Sequence, residues 1–104
     1  MPEIVKRKHY ENKQPTYVDH YTIAYRREDK GWFTLLAEKH PHDPFHKEES
    51  HLYKDLIEVC VHKGKEPRTF EAAEALAYFW MLGFSEYVRT GEFPKGKRTV
   101  NVGT

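Results

Sequence analysis

Apolar and polar positions alternate with a period of two in two stretches of the chain, and with a period near 3.6 in a third. Within residues 16–27, Tyr21, Ile23 and Tyr25 alternate with Thr22, Ala24 and Arg26, the pattern of a strand with one buried face. Glu28-Asp29-Lys30-Gly31 follows. A short polar run ending in Gly between two β-rich runs predicts a hairpin turn. Residues 32–39 are the predicted return strand, with Trp32, Thr34 and Leu36 on one face and Phe33, Leu35 and Ala37 on the other. The period then lengthens. Ala72, Ala73, Leu76, Phe79, Trp80, Gly83, Phe84, Tyr87 and Val88 share one broad helical face, while Glu71, Glu74, Ser85, Glu86 and Arg89 share the opposite one. Thr69 is a good N-cap, Arg89 suits the negative end of the helix dipole and Gly91 is a natural stop. A helix is predicted over residues 70–89.

The pattern is weaker elsewhere. Residues 1–15 are polar and read as an extended arm with a short strand at Ile4 and Val5. Pro41 and Pro44 end the return strand, and Asp43 before Pro44 fits a helix start, which predicts a short helix within residues 45–55. Residues 56–62 contain Leu56, Ile57, Val59, Cys60 and Val61 and read as a buried third strand. Residues 94–104 form a basic tail that carries a strand-like Thr99-Val100-Asn101-Val102. Neighbouring strands with short connections pair antiparallel, and the helix must bury its apolar face on the sheet they make. The predicted fold is α+β: an antiparallel sheet of three to four strands, a hairpin plus a later strand, covered on one face by one long C-terminal helix.

Composition narrows the class. The 104 residues make one domain, with a core small enough that oligomerisation would add stability. Seventeen Lys and Arg face sixteen Asp and Glu, which excludes a strongly basic polyanion-wrapping protein and an acidic-tail protein. An aromatic content of 14% argues against disorder. No apolar run approaches the ~20 residues of a membrane span, and no apolar stretch follows the charged N-terminus as in a signal peptide. The single cysteine, Cys60, excludes an internal disulfide and reads as a small buried hydrophobe. These features point to a reducing, cytoplasmic setting and no membrane partner.

Four kinds of chemistry have candidate residues. His40, His42, Asp43 and His46 lie within seven positions, with His51 close behind, and imidazole with carboxylate suits zinc. The spacing lacks the His-Glu-x-x-His arrangement of a helical zinc site, and no other cofactor is indicated. The same histidines change charge between about pH 5 and 8, which also allows a pH switch. Arg26, Arg27, Lys63, Lys65 and Arg68, with Tyr21, Tyr25 and Trp32 between them, combine the cations and aromatics that nucleic-acid binding uses, although Glu28, Asp29 and Glu66 interrupt them. Tyr78, Met81, Leu82 and Phe93 are large apolar groups on or beside the polar helix face, the mark of a self-association surface and a homodimer. For catalysis there is no Gly-rich phosphate loop, nucleophile elbow or Cys-x-x-Cys motif. An enzyme site would combine the histidine loop with tyrosines of the sheet.

The outline of Tyr21-Thr22-Ile23, Trp32-Phe33-Thr34, a later strand and Arg68-Thr69-Phe70-Glu71-Ala72-Ala73 opening a helix resembles HicB-type antitoxin domains, and is similar in outline to double-stranded-RNA-binding folds. The resemblance covers the hairpin and the helix start. It departs from the antitoxin pattern in lacking a Pro-Gly-Cys-like segment before the helix and in carrying the insertion at residues 40–55. It implies a β-β-β-α order, and is an analogy at the level of the fold. The residues themselves favour a small binding or interaction module acting as a homodimer. The alternatives are a nucleic-acid-binding or antitoxin-like domain and a small metal- or histidine-dependent enzyme.

Overall fold

The computed structural model describes residues 1–53, 57–61 and 63–94. Asp55, Leu56, His62 and the basic tail from Lys95, including the strand expected at Thr99–Val102, lie outside the described residues. The protein is α+β. Three strands, β1 (Glu3–Gln14), β2 (Tyr17–Arg27) and β3 (Phe33–Lys39), form an antiparallel sheet in the order β1-β2-β3, and one helix, α1 (Phe70–Thr90), packs on one face.

The hairpin and the helix form where local chemistry directs them. Glu28 N–H donates to the Trp32 carbonyl at 2.8 Å, Gly31 N–H donates to the Glu28 carbonyl at 3.0 Å, and Gly31 takes φ +96°, a conformation that favours glycine. Thr69 Oγ1 accepts from the Ala72 N–H at 3.1 Å, and Gly91 closes the helix at φ +81° with its N–H on the Tyr87 carbonyl. The core lies between sheet and helix. Tyr21, Ile23 and Tyr25 of β2 and Phe33, Leu35 and Ala37 of β3 meet Ala73, Ala77, Trp80, Met81, Phe84 and Tyr87 of α1.

Three elements differ from the sequence pattern. The polar N-terminal segment is a full strand, paired with β2 from Glu3 to Gln14. Its helix-side positions are Lys6, Lys8, Tyr10 and Asn12, which hide the alternation because lysine stems do the covering. Lys6 Nζ lies 4.9 Å and Lys8 Nζ 5.9 Å from the Phe70 ring centre. The expected later strand contributes two isolated bridges, Leu36–Glu58 and Leu52–Val59. There Ala37 N–H donates to Ile57 and Val59 N–H donates to Leu35, covering the outer edge of β3. The expected helix in residues 45–55 is a single 3₁₀ turn, Glu48–Ser50.

The buried stripe of α1 is also turned by roughly 60° from the one read off the helical wheel, taking ~100° per residue. Met81 and Ser85 are buried and Ala72 is exposed. The cause is polar. The Tyr21 hydroxyl, deep in the core, lies 2.6 Å from Ser85 Oγ and donates to the Met81 carbonyl at 3.0 Å, which draws that side of the helix inward. Beyond the helix, Phe93 folds back onto Gly83 so closely that a Cβ there would lie 2.2 Å from the ring.

Candidate functional site

The histidine loop is built around Asp43. Asp43 Oδ1 accepts from the backbone N–H of Phe45 (2.8 Å) and of His46 (3.0 Å), and Oδ2 accepts from the Tyr87 hydroxyl (3.1 Å). Tyr87 in turn accepts from the Lys47 N–H, so the pair fastens the loop to α1. Burial raises the Asp43 carboxyl pKa, but the two backbone donors and Tyr87 outweigh it and hold it below the ordinary carboxylate value. His40 packs on the core beside this loop. Its ring packs edge-on against Trp80 and Phe84, and its Nδ1 lies 2.7 Å from the Pro41 carbonyl. His42 and His46 are exposed, with ring centres 6.3 Å apart. Among the described residues no three His, Cys, Asp or Glu side chains are grouped as metal ligands.

Of the aromatics read beside the basic candidates, Trp32 is half-buried and the other two are buried. Tyr21 and Tyr25 are 1% and 0% exposed, so neither offers a face for a base to stack on. Their hydroxyls are spent within the fold, Tyr21 on Ser85 and Met81 and Tyr25 on Tyr10 at 2.6 Å. Arg26 is paired with Glu28 at 2.7 Å, Arg27 lies over the Phe33 ring, and Arg68 donates to the Lys30 carbonyl at 3.4 Å. Lys63 and Lys65 are exposed in the loop before α1.

The four interface candidates divide in two. Met81 and Phe93 belong to the core, while Tyr78 and Leu82 remain 39% and 42% exposed on the outer face of α1. They stand with exposed Ala72 and half-buried Ala75 and Phe79. The ends of this face are charged, Glu71 at one and Glu86 and Arg89 at the other. Arg89 reaches back to the sheet, forking onto Asp19 at 2.7 and 3.0 Å while covering the Tyr17 ring.

The face of the sheet opposite α1 holds a site that the sequence pattern did not single out. Tyr10 pairs with Tyr21, and both point toward α1, so His9, Glu11, His20 and Thr22 point the other way. With Lys39 they line an open cavity of about 220 Å³. His9 Nδ1 lies 2.8 Å from Thr22 Oγ1, and His20 Nδ1 lies 3.8 Å from Glu11 Oε2, an ion pair when His20 is protonated. The sequence signal is His9-x-Glu11 facing His20-x-Thr22. It is legible only once residues 3–14 are known to be a strand.

Comparison with protein-family models, with curated proteins and with solved structures finds no match for the chain. No helix among the described residues is long and apolar enough to cross a membrane.

Proposed function

We propose that this protein is a binding module that works as a two-fold homodimer joined along the outer face of α1. The observation that carries the reading is the composition of that face. Ala72, Ala75, Phe79 and Leu82 recur at intervals of three and four residues along the helix, the spacing of a helix-pairing seam. The two alanines lie toward one end and the two large residues toward the other. When two such helices run antiparallel, Ala72 of one copy faces Leu82 of the other, and Ala75 faces Phe79. Small groups then meet large ones at every level of the seam, and one surface complements itself under two-fold symmetry. The apolar centre flanked by Glu71, Glu86 and Arg89 has the layout of an interface core with a polar rim. A chain of 104 residues has a limited core, which makes added burial valuable. The single cysteine favours a reducing cytoplasm for this module.

Sedimentation equilibrium at high micromolar concentration is expected to give twice the 12.4 kDa chain mass. Leu82→Glu places a charge in the centre of the seam and is expected to give the single-chain mass with unchanged circular dichroism, because Leu82 is 42% exposed within one copy. A wild-type protein of single-chain mass would refute the dimer. A Leu82→Glu protein that stays dimeric would refute this face as its interface.

A further inference from the structure

We propose that the face of the sheet opposite α1 binds a phosphate-type oxyanion in the corner where β3 ends. The corner lies on the side of the sheet away from α1, so this assignment stands independently of the self-association above. It exists because β1 and β2 run on together past the end of β3. Thr22 pairs with Lys39, and Tyr17–Tyr21 pair with β1 alone.

A register shift supplies the charge. Ile23 pairs with Ala37, yet the next residue, Thr22, pairs with Lys39, so Glu38 is skipped. A regular ladder would have set Glu38 opposite Thr22 and a carboxylate in the corner. The bulge substitutes an ammonium group, the kind of re-aiming that bulges perform beside binding sites. Glu38 is engaged elsewhere, accepting from Arg7 at 2.7 and 3.1 Å. Glu11, the other carboxylate on this wall, has His20 beside it. Lys39 has no ion pair among the described residues, and its charge is available to a ligand.

The remaining polar groups suit an anion with several acceptor oxygens. The contact between His9 Nδ1 and Thr22 Oγ1 fixes the imidazole and leaves Nε2 as its second polar atom. His20 brings a further ring nitrogen to the same wall. Lysine binds phosphate as a point charge without demanding one geometry, and imidazole and hydroxyl groups add directional contacts. A metal cation fits less well, because Lys39 would repel it and no set of three ligands is assembled there.

Inorganic phosphate is titrated into the full chain and followed by amide chemical shifts near neutral pH, with chloride at matched ionic strength as the control. Saturable shifts are expected at His9, Thr22 and Lys39. Lys39→Gln should weaken binding about tenfold, the loss of one charge-assisted contact, while Lys30→Gln in the far turn should leave it unchanged. Phenyl phosphate run in parallel separates a free anion from an esterified one. Both depend on Lys39, and the tighter of the two identifies the source. The proposal is overturned by shifts that do not saturate, by shifts that chloride reproduces, or by equal weakening in Lys39→Gln and Lys30→Gln.

Discussion

Replacing Gly83 with alanine sets two physical effects of opposite sign against each other. Gly83 lies inside α1, where glycine costs about 1 kcal/mol relative to alanine, so helix propensity alone predicts that Gly83→Ala stabilises the protein by that amount. Packing predicts the reverse. A Cβ at position 83 would lie 2.2, 2.4 and 2.8 Å from three atoms of the Phe93 ring. The ring cannot stay. Phe93 is 8% exposed and packs edge-on against His51 at 4.5 Å and Phe79 at 5.8 Å. Full burial of such a side chain is worth about 1.5–3 kcal/mol. Expelling it and crediting the propensity gain leaves a net loss of about 0.5–2 kcal/mol. In a domain of this size that lowers Tm by roughly 2–16 °C. The assay is urea denaturation of four proteins: wild type, Gly83→Ala, Phe93→Ala and the double variant. Once Phe93 is truncated, the obstacle is gone, and Gly83→Ala should then stabilise by about 1 kcal/mol. A Gly83→Ala protein more stable than wild type, or the same effect in both backgrounds, would refute the packing account.

Two further outcomes follow from the polar groups of the core and its margin. Tyr21→Phe should cost about 1 kcal/mol by denaturant midpoint and clearly less in a Ser85→Ala background, because the two hydroxyls serve one another; equal costs in both backgrounds would contradict that contact. Burial raises the carboxyl pKa values of Asp19 and Glu74, but Arg89 and Ser85 outweigh it for Asp19 and Lys8 and Tyr10 outweigh it for Glu74, so both are depressed in the folded protein, as is Asp43. Groups of this kind stabilise the fold above their unfolded pKa of about 4 and lose that contribution as pH falls through the folded values, so the urea midpoint should decline progressively below about pH 4–5, and a midpoint unchanged down to about pH 3 would contradict it.

What could be read from the sequence followed the range of the interactions involved. The hairpin and α1 are local: Gly31 makes the turn, Thr69 and Gly91 close the two ends of the helix, and each can be recognised from a few neighbouring residues. β1 was hidden because Lys6 and Lys8 occupy core-side positions, and a binary pattern counts them as polar although their stems cover Phe70. The binary pattern puts Ser85 on the outer face for the same reason. Its burial depends on the Tyr21 hydroxyl, 64 positions away in sequence. The histidine loop was visible as a cluster, but its organising residue is Asp43, held by two local backbone donors and by Tyr87 from α1. The corner beside Lys39 was least legible, since it depends on a bulge and on the strand pairing of a segment with no apolar alternation. Burial of Tyr21 and Tyr25 leaves those two rings no face for a base beside Arg26 and Arg27, while Trp32 stays half-buried.

Isotope-filtered NMR on a mixture of labelled and unlabelled chains records only contacts between copies, and so tests the antiparallel seam between two copies of α1. Intermolecular contacts are expected from the Ala75 methyl to the Phe79 ring and from the Ala72 methyl to the Leu82 methyls. Intermolecular contacts confined to another surface, or none at a concentration where the mass is that of one chain, would contradict it.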